Sequence, residues 1–145
     1  MGEKTQNTNL ASEYYVLSCL YRIGANANLT LGNKKSVDIV VDKNDSLLTI
    51  DVKGLKDSSC FPIDNWTKKD KNHFIAFVSY NRKITDTNYP PDIYIVPANE
   101  LELTHTELDG KSVIYINPKG NRKVVELSRL RKLGGKYKDN WKPFV

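Results

Sequence analysis

No apolar run in the chain approaches the roughly 18–20 residues that a membrane-spanning helix requires. The opening residues, MGEKTQNTN, carry none of the apolar stretch of a secretory signal. Cysteine is scarce: Cys19 and Cys60 stand far apart, with no CxxC spacing and no Cys/His neighbour, so the sequence offers neither a zinc site nor a disulfide framework. Two reduced thiols and a cytoplasmic setting are the expectation. There is no GxxxxGK[ST] loop, no dinucleotide fingerprint and no nucleophile elbow, which removes the best-marked nucleotide-binding and serine-hydrolase classes. Internal repeats, low-complexity tracts and linkers are also missing. With 145 residues, 39% hydrophobic and 27% charged, the chain reads as one domain, residues 1–145, large enough for a core without covalent staples.

What is present is concentrated between Ser36 and Gly54, where two β-like runs flank a turn. Val37, Ile39 and Val41 alternate with Asp38 in the first run; Leu48, Ile50 and Val52 alternate with Thr49, Asp51 and Lys53 in the second. Asn44-Asp45 suits a two-residue hairpin loop, because both residues tolerate positive φ. That loop sets Asp38 across from Asp51. Like charges directly opposed destabilise a strand pair. The arrangement therefore calls for a cation, and a divalent metal is the economical one.

Upstream, residues 8–24 read as a helix capped by Asn7, Thr8 or Asn9 and stopped at Gly24. At about 100° per residue, Leu10, Tyr14, Leu17, Leu20 and Tyr21 form an apolar stripe with Glu13 inside it. A carboxylate on a core-facing side is costly unless it is paired or bound to metal. Downstream, a short strand at 27–31, a Gly32-Asn33 turn and a short helix around Asn65–Lys71 are expected. His73–Tyr80 reads as a strand buried on both faces. Further strands fall at 92–97 and 112–117, and a helical turn at 98–103. A basic helix over 126–133 is ended by Gly134-Gly135, and an aromatic tail folds back on the body. His73 reads as a strand-end residue rather than a base, and His105 as a residue of a polar stretch.

The order of helix with Glu13, hairpin with Asp38 and Asp51-Val52-Lys53, then buried strand resembles the PD-(D/E)XK nuclease superfamily, its restriction-endonuclease-like and Holliday-junction-resolvase-like members above all. The match runs from about Leu10 to Tyr80. The resemblance implies an α/β fold, a restriction-endonuclease-like mixed β-sheet flanked by helices with an αβββαβ core. It places the family's two motif acids at Asp38 and Asp51, its lysine at Lys53 and an additional helix acid at Glu13. It also makes Mg²⁺ (or Mn²⁺) the cofactor, held by Glu13, Asp38, Asp51 and the Val52 carbonyl. Val37 stands where the family usually has proline, and nothing after Lys53 matches its auxiliary Gln or Tyr. Hard oxygen donors suit such an ion. Lys53, two residues from Asp51 on one face, would orient the attacking water or offset developing charge. Ser36 is a candidate for a supporting hydrogen bond, and Gly54 for close backbone approach.

Net charge is +5, and nine basic residues between Lys119 and Lys142 face only Glu126 and Asp139. Arg129, Arg131 and Lys132 belong to this run, while Lys56, Lys68, Lys69 and Lys71 follow the motif. Together they are expected to contact phosphates of a nucleic acid, DNA ahead of RNA, with salt-dependent affinity. Trp66 and Tyr80 could stack on bases, although packing is the commoner use. The expected activity is metal-dependent phosphodiester hydrolysis, with a homodimer cutting two strands. The competing reading is a non-catalytic nucleic-acid-binding or protein-interaction module on the same fold; an RNA-cutting toxin-like domain is a third.

Overall fold

The computed structural model describes residues 3–30, 37–57, 59–63 and 71–145, with side chains from residue 6 onward. A helix, Glu3–Arg22 (α1), leads into an antiparallel meander of Asn26–Leu29 (β1), Ile39–Lys43 (β2) and Ser46–Leu55 (β3). A short strand, Cys60–Pro62 (β4), follows. His73–Ser79 (β5) then runs parallel to β3, and Asp92–Pro97 (β6) antiparallel to β5, giving a mixed five-stranded sheet of order β1-β2-β3-β5-β6. Ile114–Ile116 (β7) and Lys123–Glu126 (β8) join β4 in a second sheet of order β4-β8-β7. Two short helices, Leu127–Lys132 (α2) and Gly134–Tyr137 (α3), and a 3-10 turn, Lys142–Phe144, follow. The fold is α/β, a mixed sheet flanked by helices. The Gly32-Asn33 turn, Ser36 and nearly all of the helix around Asn65–Lys71 lie outside the described residues.

Strand alternation sorts the large sheet into two cores. Leu48, Ile50 and Val52 of β3, Phe74, Ala76 and Val78 of β5, and Ile93 and Ile95 of β6 pack with Val16, Leu17 and Leu20 of α1. On the opposite face Leu55, Ile75, Phe77, Tyr94 and Val96 meet Phe61 and Ile63 around β4, Val125 of β8, and Leu127 and Leu130 of α2. Every residue of β5 is buried, as its unbroken apolar run requires of a strand covered on both sides. The tail also closes on the first core: Phe144 lies edge-on to Phe74 at 5.0 Å between ring centroids, and Trp141 packs beside it.

Two expectations need correction. The helix begins at Glu3, so Thr8 is not a cap but an interior residue whose carbonyl accepts a hydrogen bond from Ser12 Oγ at 2.7 Å. Its buried face runs through Thr8, Ser12, Val16 and Leu20, while Leu10, Tyr14 and Tyr21 are exposed. The reason is Gly54: a Cβ there would collide with Ser12 Oγ and stand 3.2 Å from the Thr8 carbonyl. Helix and sheet approach so closely that only small residues fit between them. Gly54 thus admits α1, not a nucleic-acid backbone. The second correction concerns Gly134-Gly135: the basic helix does end just before them, at Lys132, but the two glycines also open α3.

Candidate active site

Asn44 and Asp45 adopt φ of 49° and 64°, and Lys43 pairs with Ser46, so the hairpin turns where the sequence places it. The register continues to Ile39 opposite Ile50. There the ladder changes. Asp38 N–H also donates to the Ile50 carbonyl, at 2.8 Å, so two residues of one strand stand against one of the next. Such a bulge ends regular pairing and re-aims a side chain. Here it sends the Asp38 carboxylate past its neighbour, where Oδ2 accepts the Val52 N–H at 2.8 Å.

The peptide groups of β3 fix what surrounds that carboxylate. Thr49 N–H donates toward the β5 side, to the Asn72 carbonyl at 2.9 Å. Alternation then turns both the N–H and the carbonyl of Val52 to the β2 side, where the regular ladder has stopped. Asp51 and Lys53 carry their side chains on the face of the second core, in register with Ile75 and Phe77. Lys53 Nζ lies 3.3 Å from Asp51 Oδ2, with Asp51 nearly buried and Lys53 partly open to solvent. Asp38 and Asp51 are close enough to share a hydrogen bond.

Burial, opposed by the Val52 hydrogen bond and reinforced by Asp51, pushes the Asp38 carboxyl up to about 6. Glu13 projects from α1 on the other face of the sheet, and burial together with the nearby charge of Asp38 raises it to about 6 as well. The fold therefore joins Asp38, Asp51 and Lys53 and brings Glu13 within electrostatic reach of Asp38 alone. Among the described residues no three of His, Cys, Asp and Glu gather tightly enough to form a metal cluster. The donor set still suits a hard cation: Mg²⁺ takes one or two carboxylates and fills its remaining positions with water and substrate phosphate. Two crowded carboxyls, one resisting ionisation, and a main-chain carbonyl facing the same edge meet that description.

The expected nucleic-acid contacts divide. Lys68, Lys69 and Trp66 lie outside the described residues. Lys71 and Lys132 are exposed, and Lys56 is half-buried just beyond β3. Arg129 spends its guanidinium on the carbonyls of Ser112 (2.8 Å) and Ile114 (2.9 Å), which makes it a strut for β7. Arg131 donates to Asn81 Oδ1 at 2.7 Å. His73 is a buried strand-end residue with Nδ1 2.7 Å from Thr49 Oγ1, as expected. His105, expected in a polar stretch, is instead buried edge-on against Tyr137 at 6.2 Å. Tyr80 is buried as well, its hydroxyl donating to Ser12 Oγ at 3.3 Å, since Ser12 gives its own hydrogen to the Thr8 carbonyl. Arg82, to which the sequence assigned nothing, sits in a tight turn beside the end of β3; Asn81 before it was the only available signal.

No family model matches the chain, and no curated protein matches it either. Among solved structures it is similar to a bacterial homing endonuclease, I-Ssp6803I, at 21% identity and a TM-score of 0.45 over 68% of each chain. That likeness is too loose to assign a fold family or an activity. None of the described helices is long and apolar enough to cross a membrane.

Proposed function

We propose that the protein is a metal-dependent endonuclease of the PD-(D/E)XK type, hydrolysing phosphodiester bonds in DNA. The observation that carries the reading is the bulge at Asp38, which sets its carboxylate on the Val52 amide beside Asp51 and Lys53. A Mg²⁺ or Mn²⁺ held by Asp38, Asp51 and the Val52 carbonyl would supply charge neutralisation at the scissile phosphate. Lys53, held by Asp51, orients the attacking water or offsets charge on the phosphoryl oxygens. Glu13, set back from the pair, acts through a hydrogen-bonded water instead of a direct bond. A purely binding module has no use for a buried and a half-buried carboxyl beside a lysine. Cutting both strands would take two copies, so a homodimer belongs to the proposal. The two free thiols suit a cytoplasmic setting.

Asp51→Asn tests the assignment. With Mn²⁺ and plasmid DNA, cleavage should fall by at least about 100-fold while DNA binding is kept or improved. A parent protein that binds DNA but never cuts it would return the chain to the non-catalytic alternative. Cleavage confined to RNA substrates would favour the toxin-like one.

A further inference from the structure

β5 ends at Ser79, which pairs with Leu55, two residues beyond Lys53 on the same face of the sheet. That spacing is roughly 7 Å. Beyond it opens a cavity of about 260 Å³ bordered by Asp57, Ser59, Ser79, Asn81, Arg82 and Arg131. We propose that this cavity holds a backbone phosphate of the DNA, flanking the one that is cut; the inference rests on the nuclease reading above.

The lining is built for an oxyanion. Two arginines, Arg82 and Arg131, border it against one acidic residue, Asp57, and the Ser59 hydroxyl adds a donor, while Ser79 spends its own on Asn81. A guanidinium fork matches phosphate oxygens bidentately. Arg131 is already aimed: it donates to Asn81 Oδ1 at 2.7 Å and hydrogen-bonds Tyr94, which leaves part of its five-donor fork for a ligand. Asn81 is itself held, accepting from Ser79 Oγ at 3.0 Å and donating Nδ2 to Asp92 at 2.9 Å. It is a positioning residue for Arg131.

Arg82 supplies an independent sign. Asn81 and Arg82 have φ of 51° and 66° in a turn closed by Lys83 N–H donating to the Tyr80 carbonyl at 2.8 Å. The second central position of such a turn favours glycine, and a long side chain there carries a conformational cost. Arg82 N–H bonds the Lys56 carbonyl at 3.0 Å, tying the turn to the end of the motif strand. Any residue with an N–H would make that bond. The guanidinium at the cavity is what arginine adds, and local rules broken without a packing gain mark functional positions.

The test uses the whole protein and a fluorescein-labelled mixed-sequence DNA duplex, with Ca²⁺ in place of Mg²⁺ so that binding is read without turnover. Arg82→Gly and Arg131→Gln should each weaken binding about tenfold and flatten the slope of log affinity against log salt by about 0.9. Lys111→Gln, an equal loss of charge at an exposed residue outside the cavity lining, should leave the slope unchanged. Arg82→Gly should also keep or raise Tm, because glycine accepts the turn freely, which separates a binding defect from misfolding. Equal slopes for parent and both arginine variants, or an equal loss for Lys111→Gln, overturn the site. Cleavage by the parent with Mn²⁺ is scored separately. If it cuts and the arginines are neutral, only the phosphate site fails. If it never cuts but the arginines matter, the site stands and the nuclease reading fails.

Discussion

Asp38 is where the fold imposes its largest electrostatic demand at the site. Its carboxyl titrates near 6, raised by burial first and by Asp51 second. The folded state thus binds this proton more tightly than the unfolded chain, so the stabilisation is complete below the ordinary carboxylate value and is lost as pH rises through about 6. In EDTA, stability should fall between roughly pH 4 and pH 7 by an amount on the order of 1 kcal/mol after allowance for solvent screening, and Tm should fall with it. Asp38→Asn should flatten that slope. With Mn²⁺ the trend should reverse, because metal competes with protons and binds more tightly as they leave. Thermal melts across pH with and without the ion check both signs; parallel curves would count against a shared site. Lys53→Gln belongs at the same scale. It should cut the rate by about 10²–10⁴ and leave Mn²⁺ affinity, read by calorimetry, nearly intact.

At the scale of elements, the contact between α1 and β3 carries the sharpest expectation. Gly54→Ala forces a methyl group into Ser12 Oγ and should cost about 1–3 kcal/mol. Ser12→Ala in that background should recover part of it, a coupling that denaturant melts in a double-mutant cycle would measure. The hairpin offers the opposite sign. Asp45 sits at φ 64°, so Asp45→Gly should stabilise by about 0.5–1 kcal/mol. The hairpin was legible in the sequence because a period-two pattern and an Asn-Asp loop point to one register. The face of α1 was not: it buries Thr8 and Ser12, which no apolar periodicity would choose, because Gly54 leaves no room for larger side chains. Glu13 kept its place at the border only because it lies angularly between Leu17 and Leu20, which both readings bury. β4 and β8 escaped notice because three or four residues carry too little pattern. The Asp38 bulge is invisible to any alternation argument, since it breaks the alternation, yet it builds the site.

The whole molecule places its chemistry at one end of the β2–β3 pair, and a basic C-terminal region supplies a helix to the adjoining face. That charge was legible in the sequence but its division was not: Arg129 supports the small sheet, whereas Arg131 turns to a cavity beside the motif strand. Linear sequence cannot separate those roles, because both arginines lie on one short helix and differ only in what stands opposite. The most direct test is a crystal soaked in Mn²⁺ and measured for anomalous scattering. The account predicts a peak shared by the Asp38 and Asp51 carboxylates on the side of the Val52 carbonyl. A fully soaked crystal with no signal there, or with manganese elsewhere only, would contradict it.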